Sequence, residues 1–399
     1  MALTLSSRAL AVKSSSTLDI TAKAKALKAK GCDVVTFGAG EPDFDTPRNI
    51  CDAAIKAINE GQHKYTATTG TDELKKAIVE KYKKFNNLTY DTDQIVVSNG
   101  GKQSLHNIFT AIINTGDEVI IPVPYWLTYP EMIRLVDGVP VFVKCEESNN
   151  FKITPDELLE AITPRTKALI INSPTNPTGA VYSKEELEAL GKIAVENDFY
   201  IIADEMYELL NYTGKPFCSI ASISPEIYEK TIVVSGVSKS YSMTGWRIGY
   251  SASSKEVARV IGAIQSHQTS NPSSISQAAA LEALSGPQDE VEEMARTFQK
   301  RRDLIYGRIC GMLHISAKKP MGAFYLFVNF KEVVGMKYKD REIKHVREVA
   351  DILLDDYLVA VVPCNDFGMS KYIRMSYAIS EAEINKGLDR LESFLNSLT

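Results

Sequence analysis

The sequence lacks the patterns that hold metals, span membranes or grip nucleic acid. Its six cysteines, Cys32, Cys51, Cys145, Cys218, Cys310 and Cys364, form no C-x-x-C pair, and its five histidines are scattered. No zinc site is therefore legible. Core thiols in a reducing compartment fit this usage, and a cytoplasmic location is expected. No apolar run approaches the roughly 20 residues that cross a bilayer. No block of lysine or arginine stands out, and the net charge is −5. That argues against nucleic acid or an anionic membrane as the main partner. Internal repeats and low-complexity segments are also missing. The first eighteen residues contain no acid and several serines. A transit peptide and a short arm leading into the fold both fit that composition, and the arm is the expectation adopted here.

What is present is a core-forming chain. Hydrophobic residues make up 44% of 399 positions, ample for two domains. After the arm, "TAKAKALKAKG" predicts a short helix stopped by Gly31, followed by the strand "DVVTF" and the loop "GAGEPDFDTP". From residue 50 to about 285, apolar strands alternate with helices. "QIVVS", "EVIIPVP", "VPVFVKC", "KALIINS", "FYIIAD" and "TIVVSG" read as strands. "KQSLHNIFTAII" reads as a helix, with Leu105, Ile108, Phe109 and Ile112 on one face. This alternation predicts a parallel sheet covered on both faces. The last third opens with the long amphipathic stretch "VEEMARTFQKRRDLIYGRICGML" and closes with shorter strands and helices. It reads as a smaller α/β domain, to which the N-terminal segment returns.

In open parallel sheets, ligands bind beyond the carboxyl ends of the strands. "NGGKQS" follows the first strand of the alternating region. Its glycines at a helix start suit an anion such as phosphate, and so would they suit an ordinary helix start. The segment matches neither a Walker A loop nor G-x-G-x-x-G. After "KALIINS", the rigid turn "PTNPTG" carries Asn176, which also reads as a plain turn asparagine. Asp204 ends the apolar strand "YIIAD". It is either a buried carboxylate that needs a partner or the N-cap of a helix over "EMYELL". After "TIVVSG" come Ser238 and Lys239, with Arg247 eight residues beyond the lysine. Desolvation or a nearby cation lowers a lysine's pKa and frees its amine to form a Schiff base. A phosphate cradle, an asparagine, an acid and a lysine at four strand ends match the needs of pyridoxal phosphate.

These segments resemble the class I pyridoxal-phosphate-dependent aminotransferases. "SGVSKSYSMTGWRIGY" is similar to their lysine signature. "GAGEPDFDTP", "VPYWLTYPEM", "SPTNPTG", "ADEMY" and "YIRMSYA" also occur in matching order across essentially the whole chain. Within the family, the chain is most similar to the bacterial-type (gamma subgroup) aspartate aminotransferases and their prephenate-using relatives. The resemblance implies an α/β fold of fold type I, with a mostly parallel seven-stranded sheet in a large domain, residues 50–285. A smaller discontinuous α/β domain would comprise residues 286–399 and part of 1–49.

The same resemblance implies roles. Lys239 would bind the cofactor aldehyde and shuttle the proton. Asp204 would hold the pyridine nitrogen protonated, and Asn176 and Tyr207 would contact the ring oxygen. Trp126 would stack on the ring, its alternative being a core aromatic. Gly101, Lys102, Ser238 and Arg247 would bind the phosphate, joined by Tyr65 from a partner subunit of a homodimer. Arg374, with Gly40 nearby, would take the substrate α-carboxylate, its alternative being a surface arginine. Where many relatives carry serine, this chain has Gly236, so the phosphate hydroxyl contact falls to Ser238. Lys102 would receive a second carboxylate, in place of the arginine used in another subgroup, unless it is a solvated helix-start lysine. Lys102 and Thr17 resemble a pair linked with prephenate recognition. Thr17 also reads as a plain N-cap.

The expected activity is transamination between aspartate or glutamate and 2-oxo acids, with prephenate, giving arogenate, as a further acceptor. The alternatives are an aminotransferase for aromatic or other neutral amino acids, a β-lyase or synthase on the same cofactor, and a non-catalytic ligand-binding module such as the aminotransferase-like half of a transcription regulator.

Overall fold

The computed structural model describes residues 4–12 and 16–399; the side chain of Thr17 lies outside the described ones. The arm carries its own helix, Ser7–Ala11, ahead of Ser16–Ala29, so helical structure begins earlier than expected. Gly31, at φ +85°, follows the second of these.

Seven strands form the main sheet: β1 (Ile95–Ser98), β2 (Glu118–Val123), β3 (Val139–Lys144), β4 (Thr166–Asn172), β5 (Tyr200–Asp204), β6 (Thr231–Gly236) and β7 (Gly249–Ala252). Their order is β1-β7-β6-β5-β4-β2-β3. β2 through β6 pair in parallel. β7 is antiparallel to both of its neighbours. It follows β6 through the loop 237–248 with no crossover α-helix, and that short return forces the antiparallel direction. β1 consequently runs the same way as β2 to β6, and its carboxyl end opens on the same edge.

Apart from the partly exposed edge strand β3, the strands are buried on both faces, and most are rich in β-branched residues, which is why they read as continuous apolar runs. In β4, Leu169 and Ile171 face a core shared with Leu74, Ile78 and Tyr82. Ala168 and Ile170 face the opposite core, with Leu105, Ile108 and Phe109. Helices on the two faces are mostly capped by hydroxyls: Thr71, Ser183 and Ser254 each accept a bond from a first-turn N–H. The helix Gly101–Ile112 starts instead from Gly100, at φ +85°, with no capping side chain.

A second sheet, antiparallel, orders Val362–Pro363, Tyr372–Ser376, Tyr325–Asn329 and Ser316–Ala317. The long helix Asp289–Cys310 and the helices Val346–Tyr357 and Glu381–Asn396 share its core. Val35–Thr36, shorter than the strand expected over "DVVTF", pairs in parallel with Val359–Ala360. The N-terminal segment thus returns to the C-terminal third and is aimed at the main sheet's open edge.

Gly387 lets the last helix lie against that segment. A Cβ there would sit 2.4 Å from Phe37 Cε2 and 2.8 Å from Val35 Cγ1, both fully buried. Gly387→Ala gains about 1 kcal/mol of helix propensity. Overpacking against a ring that cannot yield costs about 1–3 kcal/mol. The overlap wins, and thermal denaturation should show a lowered melting temperature.

Candidate active site

The carboxyl ends of β4, β5 and β6 and the start of helix Gly101–Ile112 enclose a cavity of about 320 Å³. Gly40, Gly101, Lys102, Trp126, Asn176, Asp204, Tyr207, Ser238, Lys239, Arg247 and Arg374 all line it. Residues from seven separate motifs, far apart in sequence, thus meet in one place.

Lys239 reaches its position on the loop after β6. Its Nζ donates to the Gly40 carbonyl at 2.6 Å. Desolvation is the largest influence on this amine. The Glu41 carboxylate opposes it, and the Arg374 and Arg247 guanidiniums reinforce it, so the pKa is pushed down to about 8.

Asp204, at the end of β5, is buried. Its Oδ2 accepts from the Tyr129 hydroxyl at 2.6 Å and its Oδ1 from the Met206 N–H at 3.2 Å. Burial raises its pKa, and these two bonds hold it back. The residues after Asp204 form turns, so the helix that it could have capped does not exist. The bond to Met206 closes a tight side-chain turn instead. Asn172 ties β4 to the site by donating from Nδ2 to the Asp204 carbonyl at 2.9 Å and accepting the Asn176 N–H at 2.8 Å.

Both guanidiniums that line the cavity stand without a carboxylate partner among the described residues. Arg374 is buried, donating to Asn176 Oδ1 at 3.1 Å and to the Gly38 carbonyl at 3.3 Å. Its guanidinium carbon lies 4.4 Å from the centre of the Tyr325 ring, and its Nε is buried without a partner. Burial of Arg374 removes its alternative as a surface arginine. Arg247 donates to the carbonyls of Thr244, at 2.8 Å, and Asn99, at 3.4 Å. A Cβ on Gly100 would come 2.5 Å from Arg247 Nη2, so the missing side chain is what lets the helix start approach this cation. The first N–H groups of an α-helix have no partner within the helix. Together with Arg247 and Ser238 they form a cradle suited to phosphate.

Lys102 Nζ lies 5.2 Å from the Trp126 ring centre. Burial, then Arg247, lowers its pKa. The residue as a whole is nevertheless exposed, so its reading as a solvated helix-start lysine stands beside the substrate reading. Trp126 meets Tyr129 edge-on, ring centres 5.3 Å apart, and presents itself to the cavity.

The loop 38–46 is latched over the site. Thr244 Oγ1 donates to Glu41 Oε2 at 2.9 Å, Thr46 Oγ1 to the Ser242 carbonyl at 2.7 Å, and Trp246 Nε1 to Thr46 Oγ1 at 3.0 Å. Arg301 holds Asp43 at 2.7 Å from the long helix.

Two candidates are not brought in. Tyr65 is 89% exposed and lies outside the cavity. The side chain of Thr17 falls outside the described ones. Conversely, three site residues had not been singled out: Tyr129, Tyr325, whose hydroxyl meets that of Tyr207 at 3.0 Å, and Glu41. Tyr129 and Glu41 lie inside motifs that the sequence displays, but nothing in the sequence says which way those side chains point. Tyr325 carries no local signal, only an apolar strand around it.

A half-buried lysine of lowered pKa, a buried carboxylate, and an unpaired guanidinium beside an uncapped helix start fit the aldehyde, ring nitrogen and phosphate of pyridoxal phosphate. Comparison with known proteins agrees. The profile of the family described as "Aminotransferase class I and II" matches residues 32–391. An aspartate aminotransferase of Geobacillus stearothermophilus is 47% identical over 98% of this chain and 99% of its own length. A probable aspartate/prephenate aminotransferase of Rickettsia conorii is 47% identical over 98% of both. The crystal structure of an aspartate aminotransferase from Rhizobium meliloti covers both chains fully, with a TM-score of 0.96 at 42% identity. A Thermus thermophilus aspartate aminotransferase with maleate covers 99% of this chain and 100% of its own, with a TM-score of 0.93 at 42% identity.

Tyr129→Phe removes one of the two hydrogen bonds on the Asp204 carboxylate. Bonds to charged groups contribute about 1.5–3 kcal/mol, so titration with pyridoxal phosphate should show binding weakened roughly tenfold or more. A second expectation concerns Lys239 in the cofactor-free protein. The rate at which it captures a small aldehyde should rise through pH 8, where the amine deprotonates, and not near the ~10.4 of a solvated lysine.

Proposed function

The chain belongs to the class I and II aminotransferases and uses pyridoxal phosphate, and we propose that it transfers the amino group of aspartate or glutamate to 2-oxo acids, with prephenate as a further acceptor. The observation that carries the dicarboxylate preference is a pair of cations in one cavity, Arg374 and Lys102, neither with a carboxylate partner among the described residues. The relatives named for aspartate, the one named for aspartate and prephenate, and the Thermus thermophilus enzyme with maleate lend the reading support.

Bound in this site, the cofactor supplies an aldehyde for amines and a ring that accepts the electron pair left when a Cα–H bond breaks. The remaining work falls to the chain. Arg374 binds the substrate α-carboxylate, helped by the rigid "PTNPTG" turn that fixes Asn176. Lys239 Nζ takes the proton from the substrate Cα and later returns one, a task suited to an amine whose pKa is near neutrality. Asp204 keeps a proton on the ring nitrogen, and Tyr129 and Met206 keep Asp204 in place. Tyr207 and Asn176 contact the ring oxygen, and Trp126 covers the ring face. The N–H groups of Gly101 and Lys102, with Ser238 and Arg247, hold the phosphate.

The working unit in this reading is a homodimer. Tyr65 is almost fully exposed, and Ile55 and Ile58 of the neighbouring helix Arg48–Asn59 are 49% and 47% exposed. A second copy would cover these apolar side chains and receive Tyr65 at its phosphate site. The division into a large part, 50–285, and a small part, 286–399 with the N-terminal segment, belongs to the same proposal.

A competition test separates the substrates. Oxaloacetate, 2-oxoglutarate and prephenate are offered together to the aminated enzyme, then to Lys102→Ala. Losing a charge-assisted bond of about 1.5–3 kcal/mol should lower kcat/KM for the dicarboxylates about 10- to 100-fold and leave phenylalanine nearly unaffected. An unchanged dicarboxylate preference would remove Lys102 from the reading. Arg374→Ala should instead depress kcat/KM for every amino donor, by about 2–5 kcal/mol.

A further inference from the structure

Directly behind Asp204 lies a second cluster of ionisable side chains, which the reaction as described does not use. The segment 204–208 points alternately to two sides. Asp204 and Tyr207 face the cavity, whereas Glu205 and Glu208 face the core beneath it. Glu205, Glu208 and Lys81, of helix Asp72–Asn86, are all buried. The cluster therefore holds two carboxyl groups and one lysine, and the ion pairs of the described residues bring no second cation to it.

The hydrogen bonds decide which carboxyl group the lysine neutralises. Glu208 Oε1 accepts from Lys81 Nζ and, at 2.7 Å, from Ser235 Oγ; its Oε2 accepts from Asn86 Nδ2 at 2.8 Å. Glu205 has one donor, Ser219 Oγ at 2.6 Å on Oε1, and its Oε2 is buried without a partner among the described residues. A buried carboxylate with one hydrogen bond and no cation is far more costly than a carboxylic acid in the same place.

We propose that Glu205 is held as an uncharged carboxylic acid and acts as a positioning residue, keeping a second negative charge away from Asp204 so that Asp204 stays ionised against the ring nitrogen. This rests on the reading of Asp204 given above. The surroundings agree. Desolvation first, then the Glu208 charge, pushes the Glu205 carboxyl well above the usual carboxylate range; Lys81 and Ser219 oppose this, and Asp204 adds to it. The other titratable groups that feel Glu205 are Tyr82 of helix Asp72–Asn86, Tyr90 just after it, Cys218 and, on β7, Tyr250. Burial holds all four neutral. They leave Lys81 as the one cation.

The sign of the pH effect follows. Folded, Glu205 keeps its proton at pH values where the unfolded chain has lost it. Its contribution to stability is therefore full below the unfolded value and lost as pH rises through the folded one. The same rise puts a new charge beside Asp204.

The test uses the holoenzyme and two readouts. Infrared spectra in deuterated buffer should show a protonated-carboxyl carbonyl stretch at neutral pH that disappears on alkalinisation. The band should be missing in Glu205→Gln. It should also be missing in Glu208→Gln, where Lys81 is freed to compensate an ionised Glu205. Visible absorption of the bound cofactor should show an alkaline transition coincident with loss of the band, and Glu205→Gln should lack that transition. A wild-type band that persists in Glu205→Gln, or no band at all, overturns the protonated state. A cofactor titration identical in wild type and Glu205→Gln overturns the positioning role. Asp204→Asn, measured in parallel, separates the two readings. If it leaves the cofactor spectrum unchanged, the assignment of Asp204 fails, whereas the infrared band tests Glu205 whatever Asp204 does.

Discussion

Lys239, Asp204, Arg374 and Arg247 stand in one cavity, and none forms an ion pair among the described residues. Their charges are met by fixed dipoles instead: a tyrosine hydroxyl and an N–H on Asp204, and main-chain carbonyls on the other three. Dipoles compensate a desolvated charge, such as the buried Asp204 or Arg374, only in part. The rest is left for a ligand that carries opposite charges in matching places. The lowered pKa of Lys239, the raised pKa of Asp204 and the unbonded Nε of Arg374 are three signs of that one constraint.

Placing those charges requires two parts of the molecule. The main sheet delivers Asn176, Asp204 and Lys239 from adjacent parallel strands, β4, β5 and β6, because adjacent strands in register end at the same edge. Arg374 comes from the antiparallel second sheet. Residues 35–46 join the two. They pair with Val359–Ala360 at one end and grip Ser242, Thr244 and Trp246 at the other, and their carbonyls at Gly38 and Gly40 meet Arg374 and Lys239 on the way. Arg301 on Asp43 fixes the middle of that path. Any shift of the second sheet is therefore felt at the lysine.

Much of the architecture is legible without coordinates, since β1 to β6 are short apolar runs bounded by turn residues. Neither β7 nor its direction is, because Gly249–Ala252 carries no apolar run and its residues say nothing about whether the chain returns by a helix or a tight loop. Asp204 shows a similar limit. Its sequence context permits a helix N-cap or a buried acid, and only the absence of the following helix decides between them. Tyr129 and Tyr325 went unnoticed because a tyrosine in an apolar stretch looks like core until its hydroxyl is seen to face an acid or another hydroxyl.

The sequence by itself determined the chemistry available: one lysine among small residues, an acid at a strand end, an arginine eight residues beyond the lysine, and a second arginine near the C-terminus, each in a motif whose local backbone preferences are strong. Tertiary structure decided everything that depends on distance and solvent. It converged seven motifs on one cavity, pushed Lys239 toward neutrality by desolvation, and left Tyr65 outside, facing solvent. It also placed Lys81 nearer to Glu208 than to Glu205. Local pattern records which residue types follow one another; the dielectric around a charge, and the partner it meets, arise only when distant segments pack.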